Sequence, residues 1–385
     1  MEAECNAHLE RFGFVEPVTV ELIDDPTGVC AVQKSVTGYT ILVPWGLFFR
    51  VTLMARLLLE RVNDVCRVGF VESPLDGFST EDHFIPAFLR PALGEFDDAA
   101  AYMQAFQAHW GGPIPETILA DLLWIRLYAV HQAVLHELGH IVRGHFALRQ
   151  NVVFRRRLDE AAAMLARHSR GGVPPLMINR ALEVDADFAQ GVLSAESDFG
   201  DLLRNGGSGG TIGLTSGFAA CILMAVIDAE RRQIASYIDE DHLAPIFRFE
   251  VLLKAANTTL NFLARLPEGR PLAPELQAHG EGMVQAHQMF QIALNNLRWH
   301  RFKEIENEAD AIRAARPGNQ AVAAMSGLLV GGPGSALTLQ PIIDFVYLEY
   351  QVISKLITDE CWSKKQGLTI DLLSEETFRD MMAKG

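Results

Sequence analysis

The chain has 385 residues, of which 49% are hydrophobic and 21% are charged, enough apolar material for a sizeable core. This composition excludes a chain that is mainly disordered. The 33 basic and 48 acidic residues give a net charge of -15, so no nucleic-acid partner is expected. The five cysteines show no CxxC spacing, which argues against a disulfide framework and a thiolate zinc site. The N-terminus does not resemble a signal peptide, and we expect a cytoplasmic location.

The first third of the chain predicts a small antiparallel sheet followed by a long helix. Short segments at 18–25, 29–32 and 38–44 alternate in polarity and are bounded by turn residues, as strands usually are. The apolar run at 45–62 has the spacing of a buried helix. The following stretch at 73–115 begins rich in proline and glycine, and we expect a loop there that could act as a lid.

The remainder of the chain predicts mostly helices. One covers about 118–147, a second covers 154–168, and a third contains the segment ALEVDADFAQGVL at 181–193. The uncharged segment at 211–227 is slightly short for a membrane span. We therefore expect a buried central helix there, with membrane contact possible but not favoured.

A proline- and glycine-rich stretch at 266–275 is the best candidate for a domain boundary. It divides the chain into a predicted catalytic domain at 1–265 and a C-terminal helical region at 266–385. The predicted fold class is α+β and mostly α-helical, with the small antiparallel sheet at the N-terminus.

Residues 136–140 read HELGH and carry the clearest chemical signal. Four residues advance about 400° around a helix, so His136 and His140 project from one face, one turn apart. Two imidazoles so placed can bind one zinc ion, and Glu137 can reach a water that the metal activates. Its carboxylate can take a proton from that water and pass it to a leaving amine. The spacing therefore predicts a zinc site with Glu137 as general base.

Three neighbouring residues complete the interpretation of this helix. His131 and His145 each lie five residues from the nearer motif histidine, which places them off the metal-binding face of a continuous helix. The HExxHxxGxxH arrangement is also absent, so we interpret both as structural residues or as supports of the ligands. Gly139 costs a helix about 1 kcal/mol relative to alanine, which suggests close packing or room for substrate.

A third protein ligand is expected from an acidic segment elsewhere. In LEVDADFA, Glu183 and Asp187 share a helical face, so one can bind metal while the other orients a ligand histidine. These two acids and Asp185 alternate with apolar residues, which favours burial. A similar acidic group at 306–310 lies among charged residues typical of a solvated helix, and we therefore favour Glu183.

Together, HELGH and the E-x-x-A-D sequence at 183–187 resemble the gluzincin metallopeptidases of the HtpX and CaaX-prenyl-protease type, and also the phage-exclusion Lit-type peptidases. In that family the two motif histidines and the glutamate bind zinc, and the aspartate supports a ligand histidine. The resemblance spans roughly residues 28–255 and implies a zincin-like core. It implies one Zn²⁺ per chain, held by the motif histidines and Glu183, with Asp187 as support and Glu137 as general base.

Two weaker features are similar to the same family. The segment HLAPIFR has His242 and Arg248 six residues apart, as in HPxxxxR, although its proline is Pro245. His242 is therefore a candidate catalytic residue that could stabilise an oxyanion. The strand at 38–44 could pair with an extended peptide substrate by adding a strand to the sheet. The family's multiple transmembrane helices are missing, which argues against a prenylated substrate in the bilayer.

These observations predict a zinc-dependent endopeptidase that acts on a polypeptide substrate through a metal-activated water, with Glu137 as general base. The alternative is a non-catalytic binding or regulatory protein on a zincin scaffold, whose structural metal would have a closed set of four ligands. A helical interaction protein with a coincidental motif would bind no metal stoichiometrically.

Overall fold

The computed structural model describes residues 1–25, 29–68, 116–146, 177–229 and 245–296. These residues form a mostly helical α+β fold with a three-stranded sheet, as the sequence predicts. In chain order the elements are α1 (Glu2–Arg11), β1 (Val18–Ile23), β2 (Ala31–Lys34), β3 (Tyr39–Pro44), α2 (Trp45–Val68), α3 (Glu116–Val142), α4 (Met177–Asn205), α5 (Gly209–Ala229), α6 (Pro245–Leu263) and α7 (Ala273–Asn296). The predicted lid at 73–115 and the predicted helix at 154–168 lie outside the described residues.

The sheet is mixed rather than antiparallel, which corrects the sequence prediction. Its strand order is β1-β3-β2, and β3 is parallel to β1 and antiparallel to β2. The chain after β1 passes the end of β3 on its way to the opposite edge. There the Trp45 indole donates to Asp24 Oδ1 at 2.6 Å, and the Gly46 amide donates to the Asp25 carbonyl at 3.1 Å. The alternation of polar and apolar residues does not reveal strand direction, because side chains alternate between the two faces with a period of two in parallel and antiparallel strands alike.

β3 is the middle strand, so the prediction that 38–44 pairs with a substrate is wrong. Both edges of β3 are already hydrogen-bonded, one to β1 and the other to β2. Its side chains Tyr39, Ile41 and Val43 are buried in the core, which fixes the strand in this position. In the described sheet β1 and β2 are the two edge strands, and residues of β2 line the cavity described below.

α5 is the buried central helix predicted from its lack of charge. The side chains at 218–224 are all less than 5% exposed. The helix packs against α2, α3, α6 and, most extensively, α7. In the part of the chain that the structure describes, no helix combines the length and the hydropathy needed to cross a membrane.

Glycines spaced four residues apart allow α5 to approach α7 closely. An ideal Cβ on Gly213 would lie 2.0 Å from the backbone oxygen of His279, and Gly209 and Gly217 face the α7 backbone in the same way. The two helices therefore touch through their backbones. α7 begins after the predicted domain boundary at 265, which stays a prediction because residues 297–385 lie outside the described ranges.

We expect the substitution Gly213→Ala to lower the free energy of unfolding by about 1–3 kcal/mol, because the added methyl group overpacks the α5–α7 contact. Urea denaturation of the full chain measures this change. Gly210→Ala is the matched control, since the nearest atom to its Cβ lies at 3.7 Å. That variant should be neutral or stabilising by up to about 1 kcal/mol. Equal destabilisation of both variants would contradict the prediction.

Candidate metal centre

α3 and α4 cross where the HELGH motif faces the acidic segment, and Gly139 sets the distance between them. An ideal Cβ on Gly139 would lie 2.8 Å from the backbone oxygen of Ala186 and 3.3 Å from the Cβ of Ala189. Glycine thus permits direct contact between the two helices, which is the close packing that the sequence suggested. The contact brings residues 136–140 and 183–187 onto facing surfaces.

His136, His140 and Glu183 form a buried group that could hold a metal ion. The Nε2 atom of His136 lies 3.2 Å from Nε2 of His140 and 3.1 Å from Oε2 of Glu183. Nε2 of His140 lies 3.5 Å from the same carboxylate oxygen. Ligand atoms at about 2.0–2.1 Å from a tetrahedral zinc ion are separated by roughly 3.3–3.4 Å. The three atoms therefore have the spacing of one face of such a tetrahedron.

Asp187 holds the other nitrogen of His136, as expected of a supporting carboxylate. Nδ1 of His136 lies 2.9 Å from Oδ1 of Asp187, so an Nδ1–H group donates there and Nε2 faces the other ligands. Arg248 donates two hydrogen bonds of 2.8 Å to the same carboxylate, from Nε and from Nη2. Burial raises the pKa of Asp187, but Arg248 and His136 outweigh it and lower the pKa below its usual value. Asp187 is therefore an ionised acceptor.

The surrounding carboxylates make the site attractive to a cation. Burial by itself lowers the pKa of His136, but the hydrogen bonds to Asp187 and Glu183 raise it to about 10. A divalent metal ion can take the place of the proton between Nε2 of His136 and Glu183, which leaves the imidazole neutral, as metal ligation requires. The charges of the site and the distances between its ligand atoms therefore both favour a bound divalent cation.

A second series of supporting hydrogen bonds leads from His140 through His145 to Asp185, a connection that the sequence did not predict. α3 ends at Val142, and Gly144 takes a left-handed conformation with φ of 71°, which turns the backbone away from the helix path. Nδ1 of His145 consequently lies 2.8 Å from Nδ1 of His140, and its Nε2 lies 3.1 Å from Oδ2 of Asp185. The angle expected for a continuous helix does not apply, although the interpretation of His145 as a support fits this position.

The hydrogen bonds that join His140, His145 and Asp185 are compatible with one arrangement of protons. Nε and Nη2 of Arg143 donate to the two oxygens of Asp185 at 2.7 and 2.9 Å, which fixes the carboxylate. Burial lowers the pKa of His145 to about 4, so its imidazole is neutral near pH 7. Nε2–H of His145 then donates to Asp185, and its Nδ1 accepts from Nδ1–H of His140. This arrangement leaves Nε2 of His140 unprotonated beside the other ligands.

Glu137 lies with the three ligands in the wall of one cavity of about 490 Å³. Burial raises the pKa of its carboxyl group, and the neighbouring His140 and His136 oppose that rise. A carboxyl group with a raised pKa can accept and return a proton close to neutral pH. The position and the electrostatics of Glu137 both suit a general base.

The remaining sequence-predicted residues lie away from the site or outside the described ranges. Nε2 of His131 lies 3.1 Å from Oε2 of Glu4 in α1, which agrees with a structural role. His242 and the acidic group at 306–310 lie outside the described residues. Arg248 entered the sequence analysis only through its spacing from His242, and its contact with Asp187 depends on packing between α4 and α6.

Comparison of the chain with protein-family models, with curated proteins and with solved structures gave no match. The resemblance to gluzincin peptidases therefore stays a prediction.

We expect His145→Ala to weaken zinc binding by roughly 10- to 100-fold, the usual effect of removing a partner that orients a ligand histidine. Competition with a chromophoric chelator measures the affinity. His131→Ala is the matched control, because it removes a histidine of α3 that contacts Glu4 instead of the ligands. Unchanged affinity in His145→Ala, or an equal loss in both variants, would contradict this role of His145.

Proposed function

We propose that this protein is a zinc-dependent endopeptidase with a zincin-like core, in which His136, His140 and Glu183 bind zinc and Glu137 is the general base. The observation that carries the proposal is the convergence of the three ligand atoms, all within 3.5 Å of one another, in a cavity that Glu137 also lines. Two imidazoles and one carboxylate form a ligand set typical of catalytic zinc. Such a set leaves a coordination position for water or substrate.

The walls of the cavity suit a peptide. Its volume of about 490 Å³ lies in the range of sites that bind small ligands or parts of larger ones. The metal ligands and Glu137 form one wall, and another is formed by Ala31 and Val32 of the edge strand β2 together with Cys30, which directly precedes it. An extended peptide could add to β2 as a further strand, which would carry its backbone past Glu137. In this proposal β2 replaces the segment at 38–44.

The proposed chemistry is hydrolysis of the peptide bond. Bound zinc would polarise the scissile carbonyl group and lower the pKa of a water molecule to about 7. Glu137 takes a proton from the attacking water as the new C–O bond forms. It then passes that proton to the amide nitrogen as the C–N bond breaks, which yields a carboxylic acid and an amine. Asp187 and His145 hold the ligand histidines and do not touch the reacting atoms.

The alternative of a structural metal receives less support from the site. A structural zinc ion is usually enclosed by four protein ligands. The candidate group in the described part of the chain has three, and it borders a cavity rather than a closed core. A zinc ion held by these three ligands would keep a fourth position for water or substrate.

We expect the purified wild-type protein to bind one zinc ion per chain and Glu183→Ala to lose it on dialysis, because two histidines alone hold zinc weakly. Metal content by mass spectrometry tests both. Glu196→Ala is the matched control, since Glu196 lies on the same helix and pairs with Arg11 instead. Zinc retained in Glu183→Ala would refute this ligand set, and a wild type that binds no zinc after reconstitution would refute the proposal.

We expect Glu137→Gln to retain zinc but to cleave an unfolded, fluorescently labelled polypeptide at least about 100-fold more slowly, since the amide cannot accept the proton. Release of labelled fragments measures the rate, with Glu196→Ala as the reference for a remote change. Cleavage by Glu137→Gln at the wild-type rate would eliminate Glu137 as general base.

A further inference from the structure

The cavity beside the candidate metal centre contains a polar group with an unmet hydrogen-bonding capacity. Gln190 lines the cavity and is 0% exposed. Within the described ranges, its Oε1 has no hydrogen-bond partner. Buried carbonyl oxygens are almost always paired, because an unpaired one loses its hydration without compensation. A group that enters the cavity could supply the missing donor.

A buried polar network behind Gln190 engages the nitrogen of its amide. Nε2 of Gln190 donates to Oε1 of Gln132 at 3.0 Å. Nε2 of Gln132 in turn donates to the hydroxyl oxygens of Ser194 and Ser216 at 2.6 and 3.2 Å. All four side chains are at most 2% exposed. Since the nitrogen of Gln190 is engaged with Gln132, its oxygen is the amide atom left to accept a hydrogen bond.

The position of Gln190 separates it from the reacting atoms. It follows Glu183 by seven residues on α4, which places it two turns, or roughly 10 Å, farther along the helix axis. The same cavity has an apolar wall formed by Leu223, Met224 and Ile227 of α5. An apolar wall and a single neutral acceptor suit a side chain that is mainly apolar and ends in a neutral donor. A cation would lose hydration there without gaining a charged partner from the amide.

We propose that Gln190 is the polar end of a substrate subsite that selects a tyrosine or tryptophan side chain. The aromatic ring packs on the apolar wall, and its O–H or N–H group donates to Oε1 of Gln190. Tyrosine and tryptophan are the side chains that combine a large apolar body with one neutral donor. The assignment rests on the proposed peptidase function, because it names the side chain that the cleaved peptide places in the cavity.

The test uses hydroxamates as probes, because this group chelates an accessible zinc ion without requiring a known substrate. Isothermal titration calorimetry of the zinc-loaded full chain compares acetohydroxamate with the hydroxamates of N-acetyltyrosine, N-acetylphenylalanine and N-acetyl-O-methyltyrosine. The tyrosine probe should bind roughly 2- to 10-fold more tightly than the phenylalanine probe, as one hydrogen bond allows. The O-methyltyrosine probe lacks the donor and should lose this advantage.

The variant Gln190→Met keeps the length of the side chain but removes the carbonyl oxygen, so the advantage of tyrosine over phenylalanine should disappear. Acetohydroxamate should bind this variant as it binds the wild type. Ser194→Ala is the matched control, because it interrupts the same network behind Gln190 but leaves the Gln190 amide in place. It should retain the preference for tyrosine.

Equal binding of the tyrosine and phenylalanine probes to the wild type would overturn the subsite and leave the metal centre standing. An unchanged tyrosine advantage in Gln190→Met would also overturn it. The comparison of the three aromatic probes on the wild type remains decisive even if Gln190→Met does not fold. Failure of acetohydroxamate to bind the zinc-loaded wild type would instead refute an accessible metal centre, and the inference would fall with it.

Discussion

The contact between Gly139 of α3 and Ala186 of α4 is the constraint on which the whole candidate metal centre depends. It sets the separation of the two helices that carry the ligands, and it lies between the histidines on one helix and the acids on the other. Asp185 and Asp187 flank Ala186 directly, so the contact positions both supporting carboxylates as well. A side chain at 139 would push the two helices apart and displace these groups, because a close-packed interior transmits strain.

Each ligand histidine is hydrogen-bonded to a buried carboxylate, directly or through another histidine, and each carboxylate is paired with an arginine. The two series of contacts are His136–Asp187–Arg248 and His140–His145–Asp185–Arg143. Buried charges are costly unless they are paired and fully hydrogen-bonded, and bidentate pairs with arginine meet that condition. The site therefore holds its two imidazoles in fixed orientations before any ligand arrives, which reduces the reorganisation needed on binding.

The sequence was sufficient for those parts of the site that depend on the period of a helix. His136 and His140 share a face because they are four residues apart, and Glu183 and Asp187 do so for the same reason. The spacing placed His145 off the metal-binding face of a continuous helix. That placement was wrong because α3 ends three residues before His145, and Gly144 turns the backbone there. Gln190 was absent from the analysis, since its relation to the cavity depends on packing among α3, α4 and α5. The direction of β1 depends in the same way on tertiary pairing.

The left-handed turn at Gly144 makes residues 136–145 a single functional unit. Nothing in the described structure lies within 4 Å of an ideal Cβ at this position, so a side chain would fit in space, but a φ of 71° strains most residues. An insertion or a deletion between His140 and His145 would leave the HELGH sequence unchanged. It would nevertheless separate the imidazole of His140 from that of His145. A search for the motif would score such a chain as intact, although one ligand of its metal centre had lost its support.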